Sequence, residues 1–107
     1  MKTKVSTAAG QVLDWMVAKC EVGEEFINEI DDPHFYSTAW DVGGPIIERE
    51  KIELRFMIDV DAWYAQPHDM DSIYQRKSGP TPLIAAMRCY VASEMGEEVE
   101  VPDELTN

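Results

Sequence analysis

Three stretches of this chain hold residue types that could grip a small planar anion. Trp40 offers a ring face that can stack on a base or a nicotinamide ring. Gly43 and Gly44, followed by Pro45, make a glycine corner whose amides can point at a ligand and whose backbone can come close to it. Further along, Gly79-Pro80-Thr81-Pro82 opens an apolar run, with Thr81 suited to a helix N-cap and Pro82 to the first helical position. The amides of Leu83 and Ile84 would then lack partners inside the helix, at its positive end. Arg49 and Arg88 could add charge-assisted, bidentate contacts. The same residues also have a purely structural reading. In it Gly-Gly-Pro turns a corner, Trp40 fills the core, and Arg88 pairs with a carboxylate such as Asp14 or Glu48.

Other chemistries find little support. The two histidines, His34 and His68, and the acids near them, Asp59, Asp61, Asp69 and Asp71, match no zinc or EF-hand spacing. No Gly-x-Ser-x-Gly elbow or Walker loop is present. Adjacent acids such as Glu24-Glu25 and Glu97-Glu98 are common in so acidic a chain and mark no general acid by themselves. Cys20 and Cys89 each fall in an apolar helical pattern and read as small buried hydrophobes. The expectation is a protein with no enzymatic activity, no metal and no cofactor.

Charge narrows the partners. Nine Lys and Arg stand against 21 Asp and Glu, a formal charge of −12. Such a surface repels nucleic acid and anionic membrane. The acidic run Glu94, Glu97, Glu98, Glu100, Asp103 and Glu104 is either a solvated face or a carboxylate array that imitates DNA towards a host enzyme. No signal-peptide pattern and no membrane-length apolar run occurs, so the chain reads as cytoplasmic.

The elements that must position these residues fit 107 residues as a single domain. Ala9, Leu13, Met16, Val17 and Cys20 predict a helix over about 7–20, within which Gly10 marks either the true start or a close contact. Glu21 to Ile30 suggests an exposed edge strand or hairpin, ended by a turn at Asp31-Asp32-Pro33. Gly43-Gly44-Pro45 punctuates the chain, leaving one helical turn at Ile46–Arg49. Ile52, Leu54, Phe56 and Ile58 alternate with Glu53, Arg55, Met57 and Asp59, which predicts a strand with one apolar face. Residues 59–80 read as a polar, variable loop region in which Ala62-Trp63-Tyr64-Ala65 forms a short helix or an anchor. A central helix is predicted over about 81–95, ended by Gly96, with Val99 and Val101 in a last strand or tail. The fold class is α+β, a small mostly antiparallel sheet packed on two main helices.

Three segments resemble the NinX-type family of small proteins from lambdoid phages and prophages. They are LDWMVAKCE (13–21), YSTAWDVGGPIIERE (36–50) and GPTPLIAAMRCYVASEMGEEVEVPDEL (79–105). The position before Trp40, often acidic in that family, is Ala39 here. The resemblance implies an accessory phage protein without an established enzymatic activity. Small phage proteins of this kind often counter host defence, some by trapping nucleotide-derived signals and others by binding a host protein. The expectation is a sponge for a nucleotide-like small molecule, held by Trp40, Gly43, Gly44, Pro45, Arg49, Thr81, Pro82 and Arg88. A homodimer would help to close so small a pocket. The alternative is an acidic inhibitor, or DNA mimic, that acts on a host protein.

Overall fold

The computed structural model describes residues 1–29, 34–68 and 76–106. In chain order the elements are β1 (Lys2–Lys4), α1 (Gly10–Val22), α2 (Trp40–Glu50), β2 (Glu53–Met57), β3 (Ala62–Gln66), β4 (Lys77–Gly79), α3 (Pro82–Met95) and β5 (Glu98–Glu100). Single 3-10 turns lie at Val5–Thr7, Ile27–Glu29 and Asp103–Leu105. Among the described residues the fold is α+β, with three helices and two antiparallel sheets. One sheet has the order β2-β3-β4, and the other pairs β1 with β5.

The centre is α3. Only Arg88 and Glu94 carry charge along it, so it can be covered on several sides. Leu83, Ala85, Ala86, Met87, Cys89, Tyr90, Val91 and Ala92 are buried. α1 packs Leu13, Met16 and Val17 into the same cluster, α2 adds Ile46, and the sheet adds Ala65. Complete burial of a side chain such as Leu13 or Met87 contributes about 1.5–3 kcal/mol. Val99 of β5, with Val5 and Val101 flanking the two-stranded sheet, completes the core. No helix among the described residues is long and apolar enough to cross a membrane.

Several sequence expectations change. α1 begins at Gly10, whose φ of 56° suits a residue without Cβ, and it runs through Val22. The edge strand expected over 21–30 is therefore absent from the described residues. A turn and the 3-10 turn Ile27–Glu29 follow instead. Ile30 and the expected turn at 31–33 lie outside the described residues.

Gly43-Gly44-Pro45 is no corner. It sits inside α2, whose Ile46 is 2% exposed against the core. Tertiary packing overrides the poor helix propensity of these three residues. Gly44 also eases the passage, because a residue before proline with no Cβ escapes much of the clash that disfavours helix there.

The segment 62–65 is a strand and not a helix or loop anchor. β3 is the middle strand of its sheet, in register Leu54 with Ala65 and Phe56 with Trp63, then Trp63 with Gly79 and Ala65 with Lys77. Apolar residues on both faces of β3 hid its alternation. Only half of the expected apolar face of β2 is covered: Leu54 packs on the core, but Phe56 is 44% exposed. Ile58, expected in the strand, lies beyond its end and is 83% exposed.

Candidate functional site

Two helix starts meet at one small cleft. Thr81 caps α3, its Oγ1 accepting the amide of Ile84 at 3.1 Å, and Pro82 occupies the first helical position. α2 is entered through a turn in which Thr38 and Ala39 donate their amides to the Phe35 carbonyl at 3.1 and 2.8 Å. The turn is pinned to α1 because the Ser37 amide donates to the buried Asp14 carboxylate at 2.8 Å.

Gly43 brings α2 onto this scaffold. A Cβ there would fall on the Tyr36 carbonyl oxygen and lie 2.7 Å from Cδ1 of Leu83. The close approach leaves a cleft of about 180 Å³ lined by Ser37, Thr38, Trp40, Thr81, Leu83 and Ile84. The Trp40 indole is 54% exposed, so it does not fill the core. Ser37 is 1% exposed, and its hydroxyl has no hydrogen-bond partner among the described residues.

The structure brings together some of the candidate residues and separates others. Trp40 and Thr81 share the cleft, with Pro82 next to Thr81 in the chain. Gly44 lies beneath the indole, where a Cβ would sit 3.6 Å from Cε3 of Trp40. Gly43 serves helix packing, with Leu83 and the Tyr36 carbonyl occupying the space a ligand would need. Pro45 is exposed on α2. Neither arginine lines the cleft.

Arg49 is nine residues along α2 from Trp40, roughly 13 Å at 1.5 Å per residue. Its Nη1 and Nη2 donate to both oxygens of Glu21 at 3.0 and 2.7 Å, its Nε donates to Glu50 at 2.7 Å, and Nη2 also reaches the Tyr90 hydroxyl at 3.1 Å. Arg88 spans two backbone carbonyls, with Nε on Ala8 and Nη1 on Ser78, both at 2.8 Å. It bonds neither Asp14 nor Glu48. Both guanidinium groups thus tie elements together, and the role of neutralising a ligand at this cleft falls away.

The Arg49 cluster has a consequence for acid stability. The Arg49 guanidinium, aided by the Tyr90 hydroxyl, holds the Glu21 carboxyl below its usual range against the opposing effect of burial. Burial, then the hydrogen bond it donates to the Glu21 carboxylate, raises the Tyr90 hydroxyl well above the usual range of a phenol. A carboxyl lowered in the folded state stabilises the fold above the ordinary carboxylate pKa, and that contribution disappears as pH falls through the folded value. Glu21→Gln should therefore cost about 1–2 kcal/mol at pH 7, the half-exposed arginine limiting the figure. The gap between variant and parent should narrow as pH falls below the ordinary carboxylate pKa of about 4.3 and vanish below the lowered folded value. Urea unfolding of both proteins at pH 7 and pH 3 measures it.

Elsewhere, a groove of about 440 Å³ is lined by Lys19, Glu24, Glu94, Glu98 and Glu100 over Cys20, Met95 and Val99. The cysteines are free. Burial pushes the Cys20 thiol up to about 12 and that of Cys89 up to about 11, which makes both poor nucleophiles. No group of three or more His, Cys, Asp or Glu among the described residues could hold a metal ion.

The family model described as Bacteriophage P22, NinX matches residues 4–94. The chain belongs to the NinX family. The NinX match runs from the end of β1 through most of α3 and takes in every residue of the cleft. It stops before β5, so most of the acidic C-terminal run lies beyond the NinX span. A search of curated proteins finds no match for this NinX chain.

Sequence reasoning missed three residues of this site: Ser37, Thr38 and Asp14. A usable signal existed for one of them. Asp14 stands alone as an acid between apolar turns of α1, and a carboxylate in such a place needs a donor.

Proposed function

We propose that this NinX-family chain is a non-enzymatic phage accessory protein that works by sequestration in the host cytoplasm. It captures a nucleotide-derived small molecule at the Trp40 cleft and thereby acts against a host defence signal. The observation that carries the reading is the half-exposed indole beside a cleft it shares with Thr81 at the start of α3. A cleft of about 180 Å³ is below the 300–1,000 Å³ typical of whole-ligand pockets. It therefore grips one end of the molecule, and the remainder lies in solvent or against a second copy. Useful sequestration needs a dissociation constant near micromolar, about 8 kcal/mol.

A thermal-shift panel of nucleotides tests the reading. At least one should raise the melting temperature of the parent protein, and Trp40→Ala should abolish that shift. The substitution itself should cost about 1–3 kcal/mol, since nearly half the indole is covered, so each protein is compared with and without nucleotide.

A second reading rests on different residues. Glu94, Glu97, Glu98, Glu100, Asp103 and Glu104 are all exposed, as are Phe56, Ile58 and Val60 on the β2–β3 hairpin. They suit an inhibitor that presents carboxylates, or the exposed apolar hairpin, to a basic host protein. Such binding would weaken steeply with added salt and be indifferent to Trp40→Ala.

A further inference from the structure

We infer that the chain forms a two-fold dimer by pairing β2 antiparallel with β2 of a second copy, in the register centred on Leu54. The three-stranded sheet has two edges, β2 and β4. The β4 edge is short and engaged: it has three residues, and Arg88 Nη1 donates to the Ser78 carbonyl at 2.8 Å. β2 is five residues long and carries no proline. Among the described residues, no backbone group outside the sheet bonds the backbone of Glu53 to Phe56. An edge strand of this kind is a template for another strand.

Charge selects the occupant. Leu54 packs on the core, so Glu53 and Arg55 lie on the outer face of the strand. Across a two-fold axis centred on Leu54, Glu53 of each copy falls directly opposite Arg55 of the other. The other registers that keep the apolar faces on one side do worse. Centring on Glu53 sets it against itself and Arg55 against Lys51. Centring on Arg55 sets two guanidinium groups together, and centring on Phe56 sets Glu53 against Asp59. Centring on Met57 leaves only Met57 within both strands.

The pairing groups are accessible and have capacity to spare. The Arg55 and Glu53 side chains are 65% and 42% exposed. Among the described residues Arg55 uses only Nη2, which donates to Glu53 Oε1 of its own chain at 3.0 Å. The other Glu53 oxygen accepts from Gln66 Nε2 at 2.6 Å, and each carboxylate oxygen can accept a second bond. The inner face gains too, because Phe56, 44% exposed, falls opposite Ile52 of the second copy. Exposed ion pairs add little strength, so they set the register while strand hydrogen bonds and the covered Phe56 hold the copies together.

Sedimentation equilibrium of the full chain tests the inference. The parent should be a dimer at high concentration. Glu53→Arg and Arg55→Glu should each weaken self-association at least tenfold, because each sets like charges opposite one another. The double variant carrying both substitutions rebuilds the reciprocal pairs and should dimerise like the parent. Hydrogen exchange of the parent needs no substitution. The outward amides of β2 should exchange at least tenfold more slowly in the dimer than in the dilute monomer. A monomer at every concentration, a dimer indifferent to both single variants, or unchanged exchange in β2 on dimerisation overturns the inference. So does a double variant as monomeric as the single ones. None of these results bears on the Trp40 cleft, whose occupancy is read by the nucleotide panel.

Discussion

Gly43→Ala should be the most damaging single methyl group that can be added to α2. The new Cβ would meet the Tyr36 carbonyl oxygen and the Leu83 side chain, and a backbone atom cannot swing aside as a side-chain tip can. Either α2 lifts away from α3 or the turn before it is displaced, and both uncover Ile46. Overpacking of this kind costs about 3 kcal/mol or more. A domain of this size has about 5–15 kcal/mol in total. Gly44→Ala is the matched control. Its nearest neighbour would be Cε3 of Trp40 at an ordinary 3.6 Å. There the helix-propensity gain is opposed by the clash with Pro45, so the net change should stay within about 1 kcal/mol. Urea unfolding of the two variants should separate them widely. If both behave alike, the close crossing of α2 and α3 is misplaced.

Asp14→Ala should cost about 2–3 kcal/mol, because the substitution leaves the buried Ser37 amide without its acceptor. Asp14 is 6% exposed and Ser37 1%, so water cannot readily replace the lost bond. The consequence reaches the cleft, since this bond fixes the turn that carries Ser37 and Thr38. Any nucleotide-induced thermal shift should shrink along with the stability. Asp14→Asn keeps an acceptor oxygen and should recover most of both. Were Asp14→Asn as damaging as Asp14→Ala, the carboxylate charge and not the hydrogen bond would be what the turn requires.

The fold was legible in the sequence wherever one physical signal acted alone. α1 and α3 show uninterrupted apolar periodicity, and α3 carries its own cap, Thr81, and stop, Gly96. α2 was hidden because Gly43, Gly44 and Pro45 each argue against a helix, and the burial of Ile46 that wins is a long-range fact. β3 was hidden because Trp63 and Ala65 face the core while Ala62 and Tyr64, on the other face, are not charged either.

The candidate site divides in the same way. Thr81 is fixed by local capping chemistry, and Trp40 enters the cleft because it begins a helix beside Thr81. Arg49 and Arg88 have the right chemistry for an anion, but their neighbours come from afar. Glu21 lies 28 residues from Arg49, and Ala8 lies 80 from Arg88. Residue type gives no hint of such pairings, and the cleft lost its expected cations to them.

Sequestration requires the Trp40 cleft to hold a small molecule in the cell. Native mass spectrometry of the protein purified gently from infected or defence-active cells tests it most directly. The spectrum should show a 12.2 kDa chain, or its dimer, carrying an added small-molecule mass that is missing from Trp40→Ala prepared in parallel. Bare protein in both preparations, or the same added mass on both, would contradict it.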